Sequence, residues 1–376
     1  MRQNGIRDVD VAVLGGGPAG AAVALALLDR GYSAVVIDRS DYCGVRIGET
    51  LVPGVRPILA NLGIWDRFLA EKHSPSFAIR SVWGGDHPHD NSFIFNPYGA
   101  GWHVDRARFD AMLIRCAQEA GAIVYRKARL LSCETRKSGN WKLEIACDDR
   151  RQRFKTGFLV DATGRASHVA RRQGARRLIW DRLIGIAIFF SLPPDESVGD
   201  SSTLIEAMED GWWYSAELPD SRLVVAYMTD ADLYARDRAQ STEYWPRQLR
   251  RTAHTRARVK RYARSSGPHV FPANSSRLNR MANGSWLTIG DAAMAFDPLS
   301  GQGVLKALQS ALHATEAIEQ YFIGNRSAFQ DYAVVVERDF GSYLSMRGAS
   351  YGREQRWPQS IFWQRRTSTA SFPPAP

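Results

Sequence analysis

One segment near the start of the chain constrains the fold more than any other: residues 15–20, with the sequence GGGPAG. Residues 10–14, which are apolar except for Asp10, precede it and are predicted to form a buried strand. Residues 21–30 are predicted to form a helix that ends at Gly31, and residues 34–37 are predicted to form a second buried strand. This order of strand, glycine loop, helix and strand predicts an α/β unit with a parallel sheet.

The spacing of the glycines predicts a binding site for a dinucleotide. Gly15 permits a tight turn, Gly17 lets the backbone approach a pyrophosphate, and Gly20 lets helix and strand pack closely. Asp38 ends the second strand, where it can accept hydrogen bonds from a ribose hydroxyl. We therefore predict a Rossmann-like domain whose first contacts with the cofactor come from Gly15, Gly17, Ala19, Gly20, Asp38 and Arg39.

Three later segments indicate that the dinucleotide is FAD. Residues 161–164 (DATG) follow a predicted strand, residues 290–293 are GDAA, and residues 297–303 (DPLSGQG) open a predicted helix over residues 303–322. In this order they resemble the aromatic-hydroxylase-type flavoprotein monooxygenases. A helix that begins beside the flavin would stabilise the negative charge of the reduced ring. The resemblance implies that the FAD-binding residues include Gly164, Asp291, Pro298, Gly301, Gly303 and Val304.

The resemblance and the pattern of elements predict an α/β fold, in which a Rossmann-like FAD-binding domain of the aromatic-hydroxylase type is interleaved with a β-sheet substrate domain and followed by C-terminal helices. Strands are predicted over residues 122–125, 128–134, 141–147, 157–161, 184–192, 203–209, 212–217, 223–229 and 285–290, and helices over residues 61–71, 106–120 and 244–262. The FAD-binding domain is expected over residues 1–75, 104–170 and 280–325, the substrate domain over 76–103 and 171–279, a helical segment over 326–366 and a tail over 367–376.

Residues 46–50 (RIGET) resemble a segment of the branch that contains the tryptophan halogenases and related monooxygenases. The resemblance implies that Arg46 neutralises an FAD phosphate. It also implies that Arg106, at the start of a predicted helix, reaches the adenosine side of FAD. Each arginine has an alternative interpretation as part of an ordinary surface ion pair.

Two departures from the halogenase pattern disfavour halogenation. Halogenases carry a Trp-x-Trp-x-Ile-Pro segment, whereas residues 211–219 here are GWWYSAELP. Halogenases also carry a lysine between flavin and substrate, and that position falls at residues 76–78 (SFA). Lys72 is nearby but out of register. A flavin-dependent halogenase is therefore only an alternative.

A closer resemblance covers most of the chain, residues 9–312. Residues 95–99 (FNPYG), 101–106 (GWHVDR) and 211–215 (GWWYS) resemble the modifying flavoproteins of tryptophylquinone enzymes, which are the partners of lysine and glycine oxidases and of quinohemoprotein amine dehydrogenase. The resemblance implies an FAD-dependent monooxygenase that uses NAD(P)H or another reductant. Its implied reaction is hydroxylation of a tryptophan within a protein precursor during cysteine tryptophylquinone (CTQ) biogenesis. Oxidation of a free indole or phenol, and a non-catalytic flavin-binding chaperone, are the alternatives.

No catalytic triad is evident, because in this class the cofactor carries the difficult chemistry. The candidate catalytic residues near the flavin face are Glu49, His103 and Trp213. Each has a structural alternative. Glu49 could pair with Arg46, His103 could be a polar residue with satisfied hydrogen bonds, and Trp213 could belong to the core.

The formal net charge of +10 reflects an excess of arginine, notably at residues 171–172, 176–177 and 247–264. This charge indicates either a solvated basic surface or a docking face for an acidic protein or peptide substrate. No nucleic-acid-binding signature accompanies it. The four cysteines fall at no metal-ligand spacing, so no metal site is predicted. Since neither a signal peptide nor an apolar run long enough for a bilayer is evident, the expected location is the cytoplasm, without a membrane partner.

Overall fold

The computed structural model of the chain describes residues 6–135, 139–148, 150–193, 199, 201–238, 243–325 and 327–367. Within these residues the strands are, in chain order, β1 (Arg7–Leu14), β2 (Ala34–Ile37), β3 (Thr50–Leu51), β4 (Ser74–Ser76), β5 (Ala78–Val82), β6 (His89–Ser92), β7 (Gly101–His103), β8 (Ile123–Tyr125), β9 (Arg129–Thr135), β10 (Trp141–Cys147), β11 (Arg150–Asp161), β12 (Arg177–Ile179), β13 (Leu183–Ser191), β14 (Thr203–Met208), β15 (Gly211–Leu218), β16 (Arg222–Asp230), β17 (Ala263–Pro272), β18 (Ser276–Leu278), β19 (Ala282–Asn283), β20 (Trp286–Thr288) and β21 (Met294–Ala295). The helices are α1 (Pro18–Asp29), α2 (Val55–Asn61), α3 (Trp65–Ala70), α4 (Arg106–Glu119), α5 (His168–Arg172), α6 (Ala231–Arg238), α7 (Tyr244–Arg250), α8 (His254–Val259), α9 (Gly303–Phe322), α10 (Ala328–Gly352) and α11 (Ile361–Thr367).

One mixed sheet carries the glycine loop. Its strands run in the order β19-β20-β11-β1-β2-β8, and the strands from β20 to β8 are parallel. β10 and β9 extend β11 as antiparallel strands. The core around this sheet includes buried residues of α1, α4, α9 and α10. Residues 11–14 of β1 and all of β2 are apolar because parallel strands between helices are buried on both faces.

A second sheet runs in the order β17-β13-β16-β15-β14-β5-β6, with antiparallel neighbours except for the parallel pair β14 and β5. Both of its faces are covered. One face packs against Phe362 and Trp363 of α11. The other face packs against Tyr244 and Trp245 of α7. β13 and β16 are therefore buried almost throughout their length.

Two small antiparallel sheets complete the architecture. One runs β12-β18-β21 and the other β3-β7-β4. In the second, Thr50 of β3 pairs with His103 of β7, and Ser74 of β4 pairs with His103 from the other side. This arrangement places the segment that follows Gly48 next to the predicted catalytic histidine.

The predicted fold class is confirmed: a Rossmann-type sheet, further mixed sheets and C-terminal helices are all present. β2, β10 and α9 have the predicted bounds. The division into domains stays a prediction. Of the predicted tail over residues 367–376, Thr367 belongs to α11 and the remainder lies outside the described residues.

Two predicted helices are wrong as single elements. The helix predicted over residues 61–71 is interrupted between α2 and α3, where Gly63 has a φ of +69° and its amide donates to the carbonyl of Ala60. A glycine in this conformation ends a helix. The helix predicted over residues 244–262 is two helices, because the Glu206 carboxylate accepts the amides of residues 253–255 and so begins α8 separately.

The strand β17 was not predicted from the sequence. It contains Gly267, Pro268 and Pro272, which are typical of turns. β17 is an edge strand of the second sheet, and an edge strand tolerates proline because one side of it has no ladder to complete.

Two further observations concern the cysteines and the possibility of a membrane-spanning helix. All four cysteines lie in the described ranges, and none of them forms a disulfide. Within those same ranges, no helix combines the length and the apolar character needed to cross a membrane.

Candidate functional site

A cavity of about 1110 Å³ lies against both large sheets. It is lined by Leu14 of β1 and Ile37 of β2, at the carboxyl ends of the parallel strands. From the second sheet it is lined by Tyr214, Met228 and Phe271. A crevice at the carboxyl ends of parallel strands is where open α/β sheets bind ligands.

The glycine loop forms one end of this cavity, the glycine-loop end. Gly15 has a φ of +103°, and a Cβ there would lie 2.2 Å from the carbonyl oxygen of Ala162. A Cβ on Gly20 would lie 1.8 Å from the carbonyl oxygen of Gly15. Gly15, Gly17 and Ala19 line the cavity. Gly20 is not among the lining residues, so its role is close packing of helix and strand rather than contact with the cofactor. A Cβ on Gly17 would meet nothing within 4 Å, which leaves the N-terminus of α1 open to an anion.

Asp38 lies where the sequence predicts it, at the end of β2 and in the cavity lining with Arg39. Its Oδ2 accepts from the amide of Gly16, and its Oδ1 accepts from the amide of Ser40 at 2.6 Å. These backbone donors fix the carboxylate while each oxygen retains a further lone pair. The arrangement can accept a hydroxyl group of a ribose.

The two arginines that were predicted to contact FAD, Arg46 and Arg106, meet at one acid. Arg46 and Arg106 both pair with Asp110, whose side chain is 1% exposed. Arg46 also donates to Ser40 Oγ at 2.6 Å, and Arg106 donates to the carbonyl oxygen of Ile47 at 2.8 Å. Two guanidinium groups around one carboxylate leave a positive excess in the cavity lining, which suits a phosphate. The same two arginines also form ion pairs, but with a buried carboxylate rather than at the surface as the alternative interpretation expected.

Asp161, at the end of β11, organises the next segment. Its carboxylate accepts from the amide of Thr163 at 3.0 Å and from the amides of Val169 and Ala170 at the start of α5. Asp161 is therefore a helix cap. Gly164, which was predicted to bind FAD, has a φ of +63° and lines the cavity.

Asp291 lines the cavity and is held by a buried cation. Lys306 Nζ lies 2.5 Å from Asp291 Oδ1, and Arg165 Nε lies 3.6 Å from Oδ2. Burial raises the pKa of the Asp291 carboxyl, but the neighbouring Lys306 and Arg165 outweigh this and hold the pKa below its ordinary value. Asp291 is therefore a carboxylate that can accept hydroxyl groups.

A second helix N-terminus borders the same cavity. Gly301 has a φ of +63°, and α9 begins two residues later at Gly303. The cavity lining includes all four residues of this segment that were predicted to bind FAD: Pro298, Gly301, Gly303 and Val304. The 20 residues of α9 direct the positive end of their dipole at this point.

The side of the cavity that the second sheet forms, the sheet end, is lined by Tyr214, Met228, Phe271 and Pro272. Polar groups lie beside this apolar wall. Glu49 is 1% exposed and lines the cavity. Its Oε2 accepts from the amide of Gly48 at 3.0 Å, while Oε1 has no hydrogen-bond partner among the described residues. Burial raises the pKa of the Glu49 carboxyl to about 7, although the Gly48 amide opposes the shift.

The structure separates the other two catalytic candidates from the cavity lining. Trp213 is fully buried on the face of β15 that packs against Tyr227 and Trp245, with ring centroids 4.8 Å and 5.0 Å away. Its expected position near the flavin face is wrong, because side chains alternate along a strand and the next residue, Tyr214, faces the cavity instead. His103 is fully buried behind the lining and contacts Thr203 Oγ1 through Nε2 at 2.9 Å.

Sequence reasoning missed three residues of the site. Asp110 lies four positions after Arg106 on a predicted helix, so helical spacing could have found that pair. Lys306 carries no sequence signal that ties it to Asp291. Tyr214 could be told from Trp213 only by knowing which face of β15 is turned to the cavity.

Comparison with known proteins decides the family. A model of the FAD-binding-domain family matches residues 8–328 of the chain. The chain belongs to this family. It is therefore an FAD-dependent enzyme of the oxidoreductase and halogenase type, and the matched residues include every segment that lines the cavity.

Three relatives place this flavoprotein more closely. LodB of Marinomonas mediterranea, provisionally named an FAD-dependent oxidoreductase, is 31% identical over 366 residues, which cover 96% of this chain and 97% of LodB. The flavin-dependent halogenase CmlS superposes with a TM-score of 0.88 at 24% identity, covering 98% of this chain and 69% of CmlS, which shows a shared fold. The peptidyl tryptophan dihydroxylase QhpG, essential for tryptophylquinone cofactor biogenesis, superposes with a TM-score of 0.76 at 25% identity, covering 98% of this chain and 80% of QhpG.

The cavity of this flavoprotein fits FAD. At the glycine-loop end it offers an open helix N-terminus, a fixed carboxylate at Asp38 and an excess of arginine, which suit the adenosine diphosphate half. At its middle it offers Asp291 for hydroxyl groups and the N-terminus of α9 for a ring that gains negative charge. The residues that would hold each part of FAD are therefore present in the expected order.

Proposed function

We propose that this flavoprotein is an FAD-dependent monooxygenase that hydroxylates a tryptophan side chain within a protein precursor during tryptophylquinone cofactor biogenesis. The observation that carries the proposal is the sheet end of the cavity. There the buried carboxylate of Glu49 lies beside an apolar wall, and none of the described lining residues is a lysine. An apolar wall suits an aromatic ring, and a carboxylate can accept the proton that the ring releases.

One relative, QhpG, supports the same substrate class. QhpG is named a peptidyl tryptophan dihydroxylase, and it covers nearly all of this chain. LodB matches this chain almost from end to end at 31% identity. The segments 95–99 and 211–215, whose sequences resemble the flavoproteins of tryptophylquinone biogenesis, both lie within the matched length.

Glu49 is the candidate proton acceptor. When bound and reduced by NAD(P)H or another donor, FAD supplies the oxygen chemistry that inserts one oxygen atom into an electron-rich ring, while the second atom leaves as water. The ring carbon that gains oxygen must lose its hydrogen as a proton. Because the pKa of Glu49 is raised to about 7, its carboxylate is a strong enough base for this proton and still ionises near neutral pH.

The sheet end also serves to exclude water. Met228 is 1% exposed, so its side chain is buried in the protein. Phe271 and Pro272 of the edge strand β17 add two further apolar groups to the lining. Such a wall protects reactive oxygen chemistry from hydrolysis and orients a ring by its flat faces.

Halogenation is the second candidate function, because CmlS shares the fold over nearly the whole chain. The described residues of the cavity lining disfavour halogenation. The lysine expected by resemblance to halogenases has no counterpart there, and Phe77, within the segment where it should fall, is 58% exposed on the surface. Lys306, the buried lysine nearest to the FAD segments, is bound to Asp291 and to the carbonyl oxygen of Met294.

We further propose that the substrate is an acidic polypeptide. The basic segment, residues 247–264, contains no Asp or Glu. Its exposed cations are Arg247, Arg250, Arg251, Arg256, Lys260, Arg261 and Arg264. Arg250 pairs with Glu243 and Arg251 pairs with Glu209, but the cations of the segment outnumber these acids. A basic surface attracts an acidic partner and speeds its encounter.

A competition among substrate classes tests the proposed function. The FAD-loaded protein is supplied with NADH and oxygen, and with either a tryptophan-containing precursor polypeptide of a tryptophylquinone enzyme or free indole. Both reactions are run with and without bromide, and the products are weighed by mass spectrometry. We expect oxygen to be added to the polypeptide, with or without bromide, at a higher kcat/KM than to indole.

Three results would count against this function. A bromine-containing product would indicate a halogenase. Oxidised indole with an unchanged polypeptide would indicate an enzyme for small aromatics. Binding of the polypeptide without any change in its mass would indicate the chaperone alternative.

A further inference from the structure

Four side chains from four different strands form one continuous chain of hydrogen bonds. Tyr214 Oη lies 2.8 Å from Thr50 Oγ1. Thr50 Oγ1 lies 3.1 Å from Thr203 Oγ1, and Thr203 Oγ1 lies 2.9 Å from His103 Nε2. The chain therefore connects β15, β3, β14 and β7, and so links the second sheet to the small sheet next to Glu49.

The two ends of this chain lie in different surroundings. Tyr214 and Thr50 line the cavity at its sheet end. Thr203 is 2% exposed and His103 is fully buried. The inner half of the chain is therefore sealed in protein, and the phenol of Tyr214 is the end that a bound molecule can reach.

The chain has a direction, because each hydroxyl group carries a single proton. Once one hydroxyl donates inward, the next must donate inward as well. A phenol is the strongest acid among these groups, and an unprotonated imidazole nitrogen is the strongest base. This difference in acidity favours the direction from Tyr214 through Thr50 and Thr203 to Nε2 of His103, which requires the imidazole proton to lie on Nδ1.

This direction decides what Tyr214 presents to the cavity. Because the Tyr214 O–H donates its hydrogen bond to Thr50, the phenol oxygen offers only lone pairs to a bound molecule. Burial raises the pKa of the Tyr214 phenol, so the group stays protonated and keeps donating inward. A ligand that carries an N–H group is the one that such an oxygen would select.

We propose that Tyr214 is a specificity-determining residue that accepts a hydrogen bond from the indole N–H of the substrate, and that Thr50, Thr203 and His103 are positioning residues that hold its oxygen in the accepting state. The inference rests on the proposed function for the identity of the ring as an indole. It adds the means by which the apolar sheet end distinguishes an indole from an aromatic ring without an N–H. An acceptor buried in an apolar site discriminates strongly, because a ligand that cannot donate leaves it unpaired.

The test is a pair of ligands that differ only at that nitrogen. Indole and N-methylindole are titrated into the oxidised, FAD-loaded protein, and binding is followed through the flavin absorbance. The measured quantity is the dissociation constant of N-methylindole divided by that of indole. This measurement needs no turnover. We expect the wild-type protein to bind indole more tightly, and Tyr214→Phe to lower the ratio by about two- to tenfold, the worth of one hydrogen bond.

A second variant tests the buried part of the chain. Thr203→Val nearly preserves the side-chain shape but removes the link between Thr50 and His103, so Thr50 becomes free to donate to Tyr214. The ratio should then fall as well. Thr229→Val is the matched control, since Thr229 is an equally buried threonine of the same sheet whose hydroxyl donates to the carbonyl oxygen of Asp210 instead. Its ratio should equal that of the wild type.

The inference is overturned if Tyr214→Phe keeps the wild-type ratio, or if the wild type does not prefer indole. It is also overturned if Glu49→Gln removes the preference and Tyr214→Phe does not, since the N–H would then bind Glu49. If Tyr214→Phe fails to retain FAD, Thr203→Val decides, and an unchanged ratio contradicts the inference. A protein that shows the expected ratios but oxidises no polypeptide would contradict the proposed function alone.

Discussion

Lys306 Nζ lies 2.5 Å from Asp291 Oδ1, and this pair joins the segment after β20 to the first turn of α9. The lysine is 5% exposed and also donates to the carbonyl oxygen of Met294 at 2.6 Å. Burial lowers the pKa of Lys306, and Asp291 opposes that shift. The pair therefore sets the position of the carboxylate in the middle of the cavity.

Replacing Lys306 with Met should destabilise the protein and weaken FAD binding. The variant leaves the Asp291 carboxylate with Arg165 as its remaining close cation, so we expect a loss of about 2 kcal/mol in the free energy of unfolding. Denaturant titration measures this loss, and flavin fluorescence measures the affinity for FAD. Lys155→Met is the control, because that lysine is half-exposed and 3.9 Å from Asp8, and it should change stability by less than about 0.5 kcal/mol. Equal effects of the two variants would refute the role of the pair.

The glycine loop predicts two different kinds of damage. Gly20→Ala would place a Cβ 1.8 Å from a backbone carbonyl oxygen, so this variant should lose both stability and FAD. Gly17→Ala meets no protein atom within 4 Å but intrudes on the phosphate site, so it should lose FAD affinity and keep its stability without FAD. Thermal unfolding with and without FAD separates the two.

Gly341→Ala is the control for these loop variants. It lies on α10 with nothing within 4 Å of an added Cβ, and alanine there should raise stability by up to about 1 kcal/mol. If Gly17→Ala bound FAD as tightly as Gly341→Ala does, the loop would not be the phosphate site.

The raised pKa of Glu49 predicts the pH dependence of turnover. If the carboxylate is the base, kcat should rise with pH through about 7 and level off above it. Glu49→Gln should lose that rise and lower kcat by about a hundredfold. A variant that kept the wild-type pH profile would show that another group titrates.

The same shift has a consequence for stability. Because the folded protein holds the Glu49 proton more tightly than the unfolded chain, the free energy of unfolding should fall as the pH rises from 4.5 to about 7. The expected loss, relative to Glu49→Gln, is about 3 kcal/mol. Denaturant titrations of both proteins across this range check the sign, and a difference that grew with pH in favour of the wild type would contradict it.

The basic segment predicts a salt-dependent encounter with the polypeptide. Reversing Arg247 and Arg256 to Glu should slow association of an acidic precursor polypeptide by about tenfold at low salt, and the difference should shrink as salt is added. Arg338→Glu is the control, since it is an exposed arginine on α10 outside the segment. Stopped-flow association rates give the comparison, and an equal loss in both proteins would remove the docking role of the segment.

The glycine loop and the helix that begins at Gly303 could be predicted because their functions depend on local backbone. A position with a φ of +103°, such as that of Gly15, favours glycine, so the residue type itself indicates the backbone conformation. The order of strand, loop and helix then places Asp38 without any knowledge of the tertiary structure. The same holds for Gly301, which ends a tight turn before α9.

The sheet end of the cavity could not be predicted in this way. Whether Trp213 or Tyr214 faces the ligand depends on how β15 pairs with β14 and β16. The sequence alone is compatible with either side chain in that position. The partner of Asp291 is likewise set by packing of α9 against the segment after β20. Contacts between distant segments decide both cases, and a single sequence does not contain them.

The most direct test of the proposed function is the fate of oxygen from ¹⁸O₂ in a precursor polypeptide. The FAD-loaded protein, NADH and the polypeptide are incubated under ¹⁸O₂, and the product is fragmented in a mass spectrometer. We predict that the label appears on a tryptophan ring, and that a polypeptide with phenylalanine in place of that tryptophan gains none. Consumption of NADH without any ¹⁸O in the polypeptide would contradict the proposed function.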